Sequence, residues 1–449
     1  MKKSGRWLLA AATLALGCGS ATNAPSSASS GGATSAAGST SPPASAGSNA
    51  AAGTTASAGV AGAGGTALGP DPAGGSRPVY TGPGFAPTNV TLQDAQAAYE
   101  AWKAAHLEDC TGGVWRVRWE TTKLDATVSE GIGYGMLLTV SHGDRAAFDG
   151  LAAYATKMND ANGLMHWLRY GCDAHYDTKY SAYPDNAASD ADLDVAMALL
   201  MAQCKWGDAR YGEQATQIIN AMQQHFFVEV DGLKVLKPGD SQWFSDMGGG
   251  CVNYSYFAPA YYRAFAEHVP AAAAFWNEAA TDAYELLAKA SNATTGLVRN
   301  WGSASGGSAT PDCFNAYKRA DSYGTDAART PWRIATDFLW YQTPQAKAWT
   351  DKVTTWVKGQ DVKTLGVWYN LDGSPDTQAT NWDMHTAITV GPFAVGAMSL
   401  EQSAVDQLAG ELLAIPTTEG SRDANYFPRM LKALSLVALT GQFTSCEGK

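Results

Sequence analysis

An all-α fold is what this sequence predicts beyond about residue 79, and three observations carry the prediction. Apolar residues recur at helical rather than alternating spacing in run after run. The runs come in pairs with short links, and longer glycine-rich links separate one pair from the next, as in stacked helical hairpins. No second low-complexity break divides the stretch, so one domain over 79–449 fits better than two. Taken in order, helices are expected near 91–106, 129–142, 144–158, 190–206, 211–227, 254–268, 270–291, 326–342, 344–358, 380–400, 402–414 and 426–440. Three of the starts carry a signal of their own. Glu130 stands where the helix macrodipole favours a carboxylate. Ser189 or Asp190 suits the cap of the fourth run, with Asp194 one turn on. Asp326 and Arg329 are spaced as a helical ion pair.

Ahead of this domain, Lys2, Lys3 and Arg6 precede an apolar stretch from Trp7 to Gly17, the layout of an export signal over 1–18 and too short to span a membrane. Leu14-Ala15-Leu16-Gly17-Cys18 resembles a bacterial lipoprotein processing site, although Ala15 stands where leucine is usual. The alternatives are a lipid on Cys18, or ordinary signal cleavage that discards Cys18 or leaves it free. Residues 19–78 are an Ala/Gly/Ser/Thr/Pro-rich tether with no charged side chain between Arg6 and Asp71, unable to bury enough apolar surface to fold. Localisation is therefore expected to be secreted or on the outer cell surface, lipid-anchored if Cys18 is acylated. Setting Cys18 aside leaves six cysteines, Cys110, Cys172, Cys204, Cys251, Cys313 and Cys446. That even number suits disulfides in an exported protein, but six cysteines allow 15 pairings. Cys204, inside an apolar helical run, reads more readily as a buried thiol.

A net charge of -11 argues against nucleic acid or an anionic membrane surface as partner. His166 and His385 lack the spacing of zinc ligands, and neither HExxH nor paired CxxC occurs, so no metal and no cofactor is expected.

Three acidic segments point to chemistry. Ser129-Glu130-Gly131-Ile132-Gly133-Tyr134-Gly135-Met136 sets one carboxylate among glycines that let a backbone approach a ligand, with Tyr134 offering an aromatic edge. Ser189-Asp190-Ala191-Asp192-Leu193-Asp194 sets acids directly against an apolar run. A calcium loop is excluded there, because Val195 and Met201 occupy the places of the required Gly and Glu. Tyr323-Gly324-Thr325-Asp326 supplies a further acid, with Arg329 and Arg333 near enough to keep it ionised. Helix capping and a plain ion pair remain the alternative readings of each.

Together these segments resemble glycoside hydrolase family 8, whose helical signature Ala-Ser/Thr-Asp-x-Asp-x-x-x-Ala is matched by Ala188 to Ala196. The resemblance continues through Gly163-Leu164-Met165-His166-Trp167, Val235-Leu236-Lys237-Pro238-Gly239-Asp240, Asn253 to Ala260, Gly391-Pro392-Phe393 and Thr440-Gly441-Gln442-Phe443. It implies that the part following the disordered tether is an (α/α)6 barrel of six inner and six outer helices. It implies an inverting mechanism with Glu130 as general acid, Asp326 as general base and Asp190 as the carboxylate at the central sugar subsite. It further implies substrate contacts from Trp167, Trp243, Tyr256, Arg329 and Tyr134. The family's cellulases often carry Tyr just before the base, where this chain has Thr325. The match is nearest the cellulase-type members, so the expected substrate is a β-1,4-linked glucan cut internally by a monomer. Xylan, chitosan and lichenan are alternatives within the family, and a non-catalytic polysaccharide-binding surface protein is the alternative of another class. The 15 tryptophans and 19 tyrosines suit stacking on sugar faces, though most must serve the core.

Overall fold

The computed structural model describes residues 80, 82–119, 125–177, 185–240, 250–310, 313, 319–418 and 421–445. Its helices are α1 (Leu92–His106), α2 (Ser129–His142), α3 (Arg145–Met158), α4 (Ser189–Trp206), α5 (Ala209–His225) and α6 (Pro259–His268). They continue with α7 (Ala273–Ala290), α8 (Thr330–Tyr341), α9 (Pro344–Lys358), α10 (Ala387–Ala397), α11 (Gln402–Ala414) and α12 (Tyr426–Leu439).

Their composition sorts them into two rings. Every residue of α10 and α12 is buried, as expected of helices apolar on all sides. By contrast α5 buries only Tyr211, Gly212, Ala215, Ile219 and Met222, a single stripe. The even-numbered helices form a closed inner ring, each touching the next from α2 through α4, α6, α8, α10 and α12, and α12 returning to α2. The odd-numbered helices lie outside, each packed on an inner neighbour, with α1 against α12. This is the (α/α)6 barrel.

Proline explains two of the starts that differ from the expected ones, whereas the run expected over 380–400 is helical only over Ala387–Ala397, where Thr386 caps it. The run expected over 254–268 is a 3-10 turn at Tyr254–Tyr256 followed by α6, which begins at Pro259. The run expected from 326 is likewise a 3-10 turn at Ala327–Arg329 before α8, with Pro331 in its first turn. Among the described residues, three small antiparallel two-stranded sheets were not expected: β1 (Leu107–Asp109) with β2 (Trp115–Val117), β3 (Ala126–Val128) with β4 (Leu168–Tyr170) across α2 and α3, and β5 (Phe227–Val230) with β6 (Leu233–Leu236). They brace the loops without changing the class.

Two disulfides stitch those loops, Cys110–Cys172 and Cys251–Cys313. Cys204 is disulfide-bonded as well, to a cysteine outside the described residues, which corrects the buried-thiol reading. It lies on the exposed side of α4, so the apolar run around it misled. Cys18, Cys446 and Trp243 also fall outside the described residues.

The glycines of α2 serve packing rather than ligand approach. A Cβ at Gly133 would lie 2.8 Å from the Cβ of Asp194 and 3.0 Å from the Ala191 carbonyl on α4. One at Gly131 would lie 3.1 Å from the Tyr426 hydroxyl on α12. Gly133→Ala is therefore expected to lose about 1–3 kcal/mol through overpacking against backbone, more than the ~1 kcal/mol that helix propensity returns. Denaturant unfolding of the variant measures the balance, and a stabilised variant would show that α2 and α4 can separate cheaply.

Candidate active site

The inner helices all begin at one end of the barrel, and their starts build the site. Val128 pairs with Leu168, and the Ser129 amide donates to the Trp167 carbonyl at 2.9 Å, which fixes the first turn of α2 and Glu130 with it. At α4 the Ser189 amide donates to the Pro238 carbonyl at 3.0 Å and its hydroxyl to the Lys237 carbonyl at 2.7 Å. Ser189 therefore clips the Val235–Asp240 segment to α4 rather than capping the helix, since α4 has no side-chain cap. The three aspartates of α4 then diverge. Asp194 makes a buried fork with Arg333 of α8, at 2.5 and 2.7 Å. Asp192 accepts the Met165 amide at 3.1 Å. Only Asp190 reaches the mouth.

The segment before α8 is shaped by its neighbours. Tyr323 pairs with Tyr369, and a Cβ at Gly324 would fall 2.3 Å from the Trp368 ring, so only glycine fits there. Asn300 accepts the Ala327 amide at 2.8 Å and holds the turn that presents Asp326.

Arg329 joins the three acids. One of its terminal nitrogens, Nη1, donates to Glu130 at 2.6 Å and to Asp190 at 3.2 Å, while Nη2 donates to Asp326 at 3.0 Å. Its guanidinium stands 5.1 Å from the Tyr256 ring centroid and 5.9 Å from that of Phe427, so it is sandwiched as well as paired. The helical pair of Asp326 with Arg329 expected from spacing does exist, inside a larger network. The remaining oxygens also have donors. Tyr426 gives its hydroxyl proton to Glu130 at 3.0 Å, and the Trp301 indole donates to Asp326 at 3.1 Å.

Burial separates the protonation of these acids. Desolvation pushes Glu130 up to about 7 against the opposing pull of Arg329, with the Asp190 and Asp326 charges adding to the rise. Asp190 is pushed up to about 6, again by burial first, with Arg329 opposing and Asp194 reinforcing. The mouth thus holds a carboxyl that is still half protonated near neutrality, beside a guanidinium that stays charged.

Of the residues expected to touch substrate, Trp167 is half-buried beside the start of α2, and Tyr256 is half-buried against Arg329 and Trp301. Tyr134 is a correction. It is fully buried, edge-on to Trp332 at 5.9 Å and 6.0 Å from the Arg333 guanidinium, and so lies beneath the mouth, where no sugar reaches. Being four residues from Glu130 in α2 puts it one turn deeper in the barrel. Trp301 and Tyr426 were not singled out by motif, and only chain closure brings them to the acids.

A double ring of helices whose inner starts carry a protonated acid, further carboxylates and half-buried aromatics defines the class of inverting glycoside hydrolases built on this barrel. The chain belongs to the glycosyl hydrolases family 8, whose sequence pattern matches residues 86–441. Endoglucanase A of Acetivibrio thermocellus is 34% identical over 373 residues, covering 80% of this chain and 72% of that protein. Endoglucanase C of Ruminiclostridium cellulolyticum is 33% identical over 351 residues, covering 78% and 71%. The solved β-1,3-1,4-glucanase of Paenibacillus sp. X4 shares the fold, with a TM-score of 0.70 at 24% identity over 81% of this chain and 97% of its own.

Removing Arg329 strands buried acids. Arg329→Leu is expected to cost about 3–5 kcal/mol at pH 7. Glu130 and Asp190 hold folded-state values above their unfolded ones, so their contribution is whole below about pH 4 and is lost as pH rises through 6 and 7. The deficit of Arg329→Leu should accordingly shrink toward pH 4, where the acids are neutral in either protein. Unfolding curves at pH 4, 5.5 and 7 test this, and a deficit that does not change with pH would rule out the charge argument.

Proposed function

We propose that the protein is an exported endo-acting hydrolase of β-1,4-linked glucan, with Glu130 as general acid, Asp326 as general base and Asp190 at the sugar whose bond is broken. The observation that carries this reading is the sharing of one guanidinium by three carboxylates at the convergent helix starts. Glycosidic cleavage with inversion needs an acid to protonate the leaving oxygen and a base to deprotonate the attacking water on the opposite face of the ring. Glu130, pushed up to about 7, keeps its proton at the pH where it must give it away. Asp326, gripped by Arg329 and Trp301 through both oxygens, takes the water's proton as the oxygen attacks the anomeric carbon. Asp190 brings negative charge to the ring as positive charge develops there. The products leave with Glu130 ionised and Asp326 protonated, and solvent resets both.

The names of the relatives favour glucan over xylan or chitosan as substrate. The export signal, the tether and a lipid at Cys18 would place the barrel on or outside the cell surface, able to search an insoluble polymer. Trp167 and Tyr256, with Trp243 by resemblance, supply the stacking faces.

Reducing-sugar release from carboxymethylcellulose, xylan, chitosan and mixed-linkage glucan tests the substrate, with carboxymethylcellulose expected to be cut fastest. Binding without release from any of the four would leave only a polysaccharide-binding role. NMR of the first product should show the α-anomer, and a β-anomer would overturn the roles given to Glu130 and Asp326.

Glu130→Gln is expected to lower kcat by roughly 10²–10⁴-fold with the melting temperature kept or raised at pH 7, because a buried ionising group is removed. In the wild type the alkaline limb of kcat/KM should fall near pH 7, the value that governs loss of the acid's proton. An active, folded Glu130→Gln enzyme sinks the assignment.

A further inference from the structure

Asp326 stands just before the 3-10 turn Ala327–Arg329, outside the regular part of α8, so its side chain needs holding from elsewhere. Arg329 holds one oxygen and the Trp301 indole N–H holds the other, at 3.0 and 3.1 Å. Trp301 belongs to a small satellite core with Cys251 and Cys313, separate from the main one, in which all three are buried. The strand-like contacts around it are short. Trp301 donates its amide to Ala320, Gly302 and Val252 exchange amide bonds at 2.8 Å, and Asn300 donates to Ser322. Among the described residues the buried members of this satellite core are Trp301 and the two cysteines, so the Cys251–Cys313 bridge is the covalent element of the wall the indole leans on.

We propose that Trp301 is a positioning residue for the base, and that the Cys251–Cys313 disulfide acts on turnover through it, so that cleavage depends on the oxidised state of that bridge. The proposal rests on Asp326 being the base. The geometry gives Trp301 two tasks. Its N–H anchors Oδ2 of the carboxylate, and its ring, edge-on to Tyr256 at 6.1 Å, keeps the carboxylate turned toward the side of the mouth where Tyr256 and Arg329 lie. The charged and titratable groups facing Asp326 are Arg329, Glu130, Asp190 and the Tyr256 phenol. None of them replaces the indole's donor on Oδ2.

The test compares Trp301→Phe, the pair Cys251→Ala/Cys313→Ala, and all three changes together, on whichever soluble polymer the wild type cuts. Trp301→Phe should lower kcat on the order of tenfold, a part of what a general base contributes, with KM little changed. A loosened cleft would instead raise KM, so the split between kcat and KM separates positioning from a merely structural loss. The cysteine pair should likewise lower kcat with KM little changed, and should add nothing once Trp301 is Phe. Equal losses from the cysteine pair in both backgrounds would show that the bridge acts by another route, and an unchanged kcat in Trp301→Phe would end the positioning role. Should Trp301→Phe not fold, the cysteine pair, with the indole intact, carries the kcat test alone. Asp326→Asn separates the two claims. A dead Asp326→Asn with an unaffected Trp301→Phe refutes only this inference, while an active Asp326→Asn refutes the base itself.

Discussion

One buried guanidinium sets the terms for the rest of this protein. Arg329 is withdrawn from water almost completely, and a charge so placed is tolerable only with partners on every face. It has them in Glu130 from α2, Asp190 from α4 and its own neighbour Asp326, with Tyr256 and Phe427 closing the two flat sides. Lysine could not substitute, because a point charge cannot serve three carboxylates from separate fixed nitrogens and stack between two rings at once. With Glu130 protonated, the cluster carries one net negative charge if Asp190 and Asp326 are both ionised. The inner helices point their starts at that charge, and helix starts favour it.

The barrel below exists to keep those starts together. Asp194 and Arg333 form a second fork one turn deeper, joining α4 to α8 across the ring, and Tyr134 and Trp332 fill the space beside it. Gly133 lets α2 lie against α4 more closely than any other residue would allow. The acid on α2 and the carboxylate on α4 therefore share one register, set by packing and not by the acids themselves.

The acids were legible in the sequence because each stands in a short motif at a helix start, where a charge against an apolar run is conspicuous. Their holders were not. Trp301 lies 25 positions from Asp326 and Tyr426 lies 296 from Glu130, and no local pattern marks a donor whose target is defined only when the ring closes. Tyr134 and the glycines of α2 were read from the same octapeptide as Glu130, yet they serve the interior. Four residues carry a helix one full turn deeper below the mouth, so sharing a motif does not mean sharing a surface. The small sheets escaped notice because strands of three or four residues leave too few alternations to see.

Stability alone does not account for this arrangement. Buried ion clusters of this kind can generally be replaced by apolar side chains of similar volume at little cost or with gain. The mouth instead keeps an arginine, three acids and two ring donors where a plug of leucine and phenylalanine would fold as well. Glu130 is held by burial at a value that favours its proton, while the same burial obliges Arg329 to remain and restrain how far that value climbs. Without the guanidinium, burial would carry Glu130 and Asp190 still further toward neutrality, and without the burial both would ionise. Burial and guanidinium together keep a proton on Glu130 beside a fixed positive charge, the condition that the proposed role of an acid in breaking an unactivated glycosidic bond requires.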